Sequence, residues 1–238
     1  AMWVADMDFK APQPVIDALK ERVNHGIFGY NIIPDSYYEA FINWEKEKHG
    51  YNVKKEWIRF SPGVVPALFW FINILTNPGD SCIVMGPVYY PFHDAIKENE
   101  RKLIFNNLKN DNGIYTIDFE KFEEDIIESQ VKLFILSSPH NPIGRVWTKE
   151  ELKRVLDICK ANDVFVLADE IHQDIIIGDK KQIPAATIGN YDDILVTLTA
   201  ATKTFNLASC QNSFVVIPND EIREKLQSMH RCVYNQYA

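Results

Sequence analysis

The chain has 238 residues, 46% apolar and 24% charged, a size and balance that suit one large globular domain and exclude a disordered or fibrous chain. Its 25 basic against 33 acidic residues give a formal charge of -8 with no basic stripe, which argues against nucleic acid or an anionic membrane as partner. No apolar run approaches the roughly 18 residues that span a bilayer, and the first residues lack a signal-peptide pattern. Cys82, Cys159, Cys210 and Cys232 contain no CxxC pair. They read as free thiols of a cytoplasmic protein.

In chain order, residues 12–23, 36–48 and 66–75 are helix candidates, and residues 81–85 form the first buried strand. Asn110-Asp-Asn-Gly113 is a turn, and residues 131–136 form a second strand. Thr148-Lys-Glu-Glu151 has the pattern of a capping box, opening a helix with an apolar stripe of Leu152, Val155, Leu156 and Cys159 that ends near Asn162. Further strands follow at 164–168, 194–198 and 214–217. These runs are apolar on both faces, as strands of a covered parallel sheet are. The end of the chain predicts an amphipathic helix with Ile222, Leu226, Met229 and Val233 on its apolar face, and Arg223 and Arg231 as solvated residues. Strands alternating with helices predict an α/β fold, a three-layer αβα sandwich on a mainly parallel sheet.

In such sheets ligands bind beyond the carboxyl ends of the strands. Three polar segments lie there: Ser137-Ser-Pro-His-Asn-Pro-Ile-Gly144, Asp169-Glu-Ile-His172 and Thr199-Ala-Ala-Thr-Lys-Thr-Phe-Asn-Leu207. A lysine amine, with a pKa of about 10.4, is protonated and unreactive at neutral pH unless burial or a neighbouring cation lowers that value. Lys203 is a candidate to condense with an aldehyde, of which pyridoxal phosphate (PLP) is the commonest biological example. Asp169 could hold the PLP pyridine nitrogen protonated, or simply cap the next helix. Asn141 could donate to the phenolic oxygen, or serve as a turn residue before Pro142. Gly63, Val64 and Val65, in a Pro-Gly turn entering a helix, form either a phosphate-binding helix start or an ordinary turn. Thr199 and Thr202 offer hydroxyls beside the lysine. Tyr89 or Tyr90 could stack on the pyridine ring or pack in the core.

Six segments resemble, in the same order, motifs of the fold-type I PLP enzymes, specifically the cystathionine beta-lyase-like carbon-sulfur lyases grouped with class I and II aminotransferases. They are Trp3-Val-Ala-Asp-Met-Asp-Phe9, Phe28-Gly-Tyr30, residues 61–68, Ser138-Pro-His-Asn-Pro-Ile-Gly144, Ala168-Asp-Glu-Ile-His-Gln-Asp174 and Thr202-Lys-Thr-Phe-Asn-Leu207. The resemblance implies Lys203 as the cofactor-linked amine, Asp169 at the pyridine nitrogen, Asn141 at the phenolic oxygen, Tyr89 on the ring and the Val64 and Val65 amides at the phosphate. It implies a homodimer in which Tyr30 reaches the phosphate of the neighbouring subunit. Gln211 and His172 stand where many aminotransferases carry arginine and tyrosine, and both fit the lyase-like group better.

Family members are longer, so residues 1–238 read as the PLP-binding large domain of a protein with a segment before Trp3 and a small domain beyond the present end; the family's arginine for the substrate carboxylate belongs to that small domain. The implied reaction is beta-elimination from cystathionine or a related cysteine conjugate, a small amino-acid substrate. Transamination at the same site and a non-catalytic PLP-fold binding protein are the alternatives. A nicotinamide enzyme is disfavoured by the lack of a GxGxxG after an early strand.

Overall fold

The computed structural model describes residues 4–30 and 32–233. Trp3 and the side chains of Cys232 and Val233 lie outside the described residues. In chain order the elements are α1 (Gln13–His25), α2 (Asp35–Trp44), β1 (Ile58–Ser61), α3 (Val64–Leu75), β2 (Ser81–Gly86), α4 (Pro91–Glu98), β3 (Lys102–Asn107), β4 (Lys109–Asp111) and β5 (Ile114–Thr116). They continue with α5 (Phe119–Glu128), β6 (Val131–Ser137), α6 (Lys149–Ala161), β7 (Phe165–Asp169), β8 (Leu195–Thr199), α7 (Ala201–Thr204), β9 (Ser213–Val216) and α8 (Asp220–Val233).

The main sheet has seven strands in the order β1-β9-β8-β7-β6-β2-β3, and β4 and β5 form a separate hairpin. Strand β9 is antiparallel to β1 and β8, whereas the pairings from β8 through β3 are parallel. The side-chain period of two sends Ile83, Met85, Phe134 and Leu136 to one face, where α5 and α6 cover them with Phe122, Ile126, Leu152 and Leu156. It sends Cys82, Val84, Leu133 and Ile135 to the other, under Leu68 and Phe71 of α3, Phe92 of α4 and Leu226 of α8. Each of these buried side chains contributes roughly 1.5–3 kcal/mol of transfer free energy. The result is the three-layer αβα sandwich with a mainly parallel mixed sheet that the buried strands predict. A third cluster seats α2 on the β1 and β9 edge, where Phe41 stacks on Phe214 with ring centroids 3.9 Å apart.

The α6 capping box forms as its sequence predicts: Glu151 N–H donates to Thr148 Oγ1 at 3.1 Å, and Thr148 N–H to Glu151 Oε2 at 2.8 Å. The expected turn at residues 110–113 joins β4 to β5, with Gly113 at φ 89° and its N–H donating to Asn110 Oδ1 at 2.8 Å.

Other expectations need correction. Helix α3 begins at Val64 rather than Pro66, and α2 stops at Trp44, after which Glu45–His49 forms a π-helical turn. Strands β1, β3, β4 and β5 and helices α4, α5 and α7 are not among the elements the sequence predicts. Arg223 is not a solvated residue. Its side chain is 12% exposed, pairs with Asp220 and donates to the carbonyls of Ile217 at 2.5 Å and Pro218 at 2.6 Å, in the loop that follows β9. Cys82 and Cys159 are buried and Cys210 exposed, all as free thiols. Among the described residues no helix is long and apolar enough to cross a membrane.

Candidate active site

Strands β6, β7 and β8 run parallel, so their carboxyl ends open onto the same side of the sheet, and a cavity of about 440 Å³ lies there. Asp169 is the last residue of β7, in register with Ser137 of β6 and Leu198 of β8. The flanking strands leave it 7% exposed, and its Oδ1 accepts the Ile171 N–H at 3.1 Å. Burial pushes the Asp169 pKa up to about 7, while the Ile171 amide and the Lys203 charge pull it down. A carboxylate so placed is strengthened as an anion by any further cationic hydrogen-bond donor brought into the cavity.

Lys203 rises from α7, the single helical turn that follows β8, and lines the same cavity. His172 lines it as well; burial, and secondarily the Lys203 charge, hold its pKa below the usual histidine value.

The loop after β6 presents Asn141, whose N–H donates to Ser137 Oγ at 3.0 Å and whose carbonyl accepts the Tyr89 N–H at 3.1 Å. His140 fastens the same two loops together. Its Nε2–H donates to the Pro87 carbonyl at 3.0 Å, its ring meets Trp147 edge-on, and burial drops its pKa to about 4, so it is neutral. Tyr89 therefore reaches the cavity on a fixed backbone. Burial first, then Tyr90 and Asp169, raise the pKa of its phenol.

The amino terminus of α3 also borders the cavity. Gly63, Val64 and Val65 line the cavity, and the first-turn amides of a helix have no partner within it, so this end attracts anions. Ser61 Oγ donates to the Gly63 carbonyl at 2.7 Å, fixing the turn, and a Cβ added at Gly63 would stand 3.3 Å from Pro66 Cδ.

The structure thus gathers Lys203, Asp169, Asn141, Tyr89, His172 and Thr202 around one cavity that Gly63, Val64 and Val65 also line. One residue expected at this site, Thr199, is not brought there. The Thr199 hydroxyl is buried and faces the Glu170 carbonyl at 3.4 Å, and the residue lines a neighbouring cavity of about 320 Å³. Tyr30 stands outside the cavity and is 97% exposed.

Further wall residues include Val4, Ala5, Ala208 and Asn212, to which the sequence assigns no individual role. Val4 and Ala5 reach the cavity because Asn206 clamps the following backbone, its Oδ1 accepting the Met7 N–H at 3.2 Å and its Nδ2 donating to the carbonyls of Met7 at 2.9 Å and Phe9 at 2.8 Å. Their only sequence signal is the motif at residues 3–9. Asn212 carries none.

The family model for aminotransferase class I and II matches residues 4–236. The chain belongs to the class I and II aminotransferase family. Among its relatives, cystathionine beta-lyase PatB of Bacillus subtilis (strain 168) is 43% identical over 228 residues, covering 95% of this chain and 59% of that protein. Two solved structures share the fold of this aminotransferase-family chain. Cystalysin from Treponema denticola, which contains a pyridoxal 5'-phosphate cofactor, matches with a TM-score of 0.93 and 38% identity over 97% of this chain and 59% of its own. The PLP-bound C-S lyase from Staphylococcus hominis matches with a TM-score of 0.92 and 36% identity over 96% of this chain and 59% of its own. The family member described here therefore spans less than two thirds of the length of these relatives.

Proposed function

We propose that the protein is a PLP-dependent carbon-sulfur beta-lyase that releases a thiol, pyruvate and ammonia from cystathionine or a related cysteine conjugate. The observation that carries this is the convergence of Lys203, Asp169, Asn141 and Tyr89 with the amino terminus of α3 on one cavity. The 43% identity to cystathionine beta-lyase PatB supports the lyase reading within the family.

The residues fit the cofactor. Asp169 is a buried carboxylate beside a single lysine, suited to a protonated ring nitrogen, and the α3 amides that line the same cavity suit a phosphate. When bound, PLP supplies an aldehyde that takes up an amine and a pyridine ring that withdraws electrons from the substrate alpha carbon.

With PLP bound, Asp169 would hold the ring nitrogen protonated, Asn141 would donate its amide to the phenolic oxygen, and Tyr89 would pack against the ring. The Val64 and Val65 amides and the Thr202 hydroxyl would hold the phosphate, and His172 would border the ring beside Asp169. The Lys203 amine would serve as the general base that removes the substrate's alpha proton. The carbon-sulfur bond then breaks, its electron pair leaving on sulfur, which takes up a proton as thiol. The remaining three-carbon enamine adds water and gives pyruvate and ammonia.

Transamination at the same residues is the second reading, favoured by the family model. A homodimer, with the exposed Tyr30 entering the neighbouring subunit's site, completes the proposal, and the free thiols support a reducing, cytoplasmic setting.

The test is pyruvate release from cystathionine by the whole protein, with Lys203→Ala as control. Release that depends on Lys203 supports the lyase. A protein that forms a keto acid only when an amino-group acceptor is supplied is the transaminase instead.

A further inference from the structure

Helix α7, which carries Lys203, is only Ala201–Thr204, and its N-cap residue Ala200 offers no side-chain cap. One turn of helix does not hold its own shape in water. Its orientation must come from tertiary ties, and the most direct is the Thr204 hydroxyl, which donates to Asp174 Oδ2 at 2.7 Å.

The Asp174 carboxylate is itself fixed. Its Oδ1 accepts Trp44 Nε1–H at 3.0 Å and His49 Nε2–H at 2.8 Å, and the His49 and Asp174 side chains are 6% and 12% exposed. Burial alone would raise the Asp174 pKa, but the hydrogen bonds from His49, Thr204 and Trp44 outweigh it and keep the carboxylate ionised. Glu45 is the other carboxyl facing this group.

Trp44 and His49 are five residues apart, about 140° around an α-helix. The π-helical turn at Glu45–His49 brings them to the same side, which explains a rare geometry at this place. Trp44 also meets Phe205, two residues beyond Lys203, edge-on with centroids 5.6 Å apart. The loop that bears Asp174 leaves β7 at Asp169, so one short segment connects the cavity carboxylate to the lysine turn.

We propose that Asp174 is a positioning residue for Lys203, holding the lysine turn through the Thr204 hydroxyl, with Trp44 and His49 orienting its carboxylate. This rests on Lys203 being the cofactor-linked amine. Asp174 lines the neighbouring cavity and not the one that holds Lys203, so it acts through Thr204 and touches neither substrate nor cofactor.

The test compares Thr204→Val, which keeps the shape and removes the hydroxyl, with Thr204→Ser, which restores a hydroxyl, and with Asp174→Asn, all in the whole protein. Two quantities are read: the rate at which added PLP becomes fixed to Lys203 by borohydride, located by peptide mass spectrometry, and kcat and KM for elimination from cystathionine. Thr204→Val and Asp174→Asn are expected to lower both the fixation rate and kcat by about tenfold or more with KM within about twofold, as a misplaced reactive group does, and Thr204→Ser to stay near wild type.

A Thr204→Val protein that melts earlier but fixes PLP and turns over like wild type overturns the proposal. Thr204→Val decides if Asp174→Asn does not fold. Wild type that fixes no PLP at Lys203 overturns the cofactor reading and this inference with it, whereas normal fixation in both wild type and Thr204→Val overturns this inference alone.

Discussion

Asp169 and Glu170 are neighbours in sequence but diverge at the end of β7: Asp169 lines the cavity beside Lys203, and Glu170 is sealed from solvent with Oε1 accepting the Ala185 N–H at 2.7 Å. Burial raises the Glu170 pKa well above its ordinary value of 4.5, which favours the protonated form, and glutamine is close to isosteric with that form. Asp169→Asn is expected to cut kcat/KM by about 100-fold or more, since it removes the anion set against the reacting system. Glu170→Gln should stay within about threefold, because a neutral acceptor for Ala185 remains. Steady-state kinetics on the two variants check the contrast.

Glu45 is 2% exposed, and burial pushes its pKa up to about 7, opposed by His49 and by the Gln173 hydrogen bond at 2.6 Å. The folded protein binds this proton more tightly than the unfolded chain. Its contribution to stability is therefore full below the ordinary value of 4.5 and is lost as pH rises through about 7. Glu45→Gln keeps an acceptor for Gln173 and cannot ionise. The stability of the variant relative to wild type should rise between about pH 5 and pH 8, by on the order of 2 kcal/mol, as read by urea unfolding at each pH.

The parts of the fold legible in the sequence are those with little ambiguity of environment. Strands β2, β6, β7 and β8 are apolar on both faces because helices cover both, and α6 announces its start with Thr148 and Glu151. Edge strand β3 mixes Lys102, Asn106 and Asn107 with apolar residues, and α4 and α5 bury only a few residues each among many charges, so their patterns stay below recognition. Proline favours the first position of a helix, which points to Pro66 for α3, but a proline anywhere in the first turn leaves no hydrogen bond unmade, and the helix starts at Val64.

In the site, Asp169 and Lys203 stand out because a polar group at the end of a buried strand needs a purpose. Thr199 shares that position, yet its hydroxyl faces Glu170. The contact of Trp44 and His49 with Asp174 spans well over a hundred residues and depends on a π-helical turn, which no local pattern marks.

Thr148→Ala removes one half of the α6 capping box and should lower stability by about 1 kcal/mol without changing kcat, because the cap lies outside the cavity. Glu151 retains its ion pair with Arg145 at 2.7 Å, which limits the loss. Denaturant unfolding beside a single-substrate assay separates the two effects.

The central claim is that Lys203 is the amine that binds PLP, and the absorbance spectrum of the whole protein after addition of PLP tests it most directly, beside Lys203→Ala. The account predicts a band near the visible edge that borohydride abolishes and that Lys203→Ala lacks. A folded wild-type protein that gives no lysine-dependent band would contradict it.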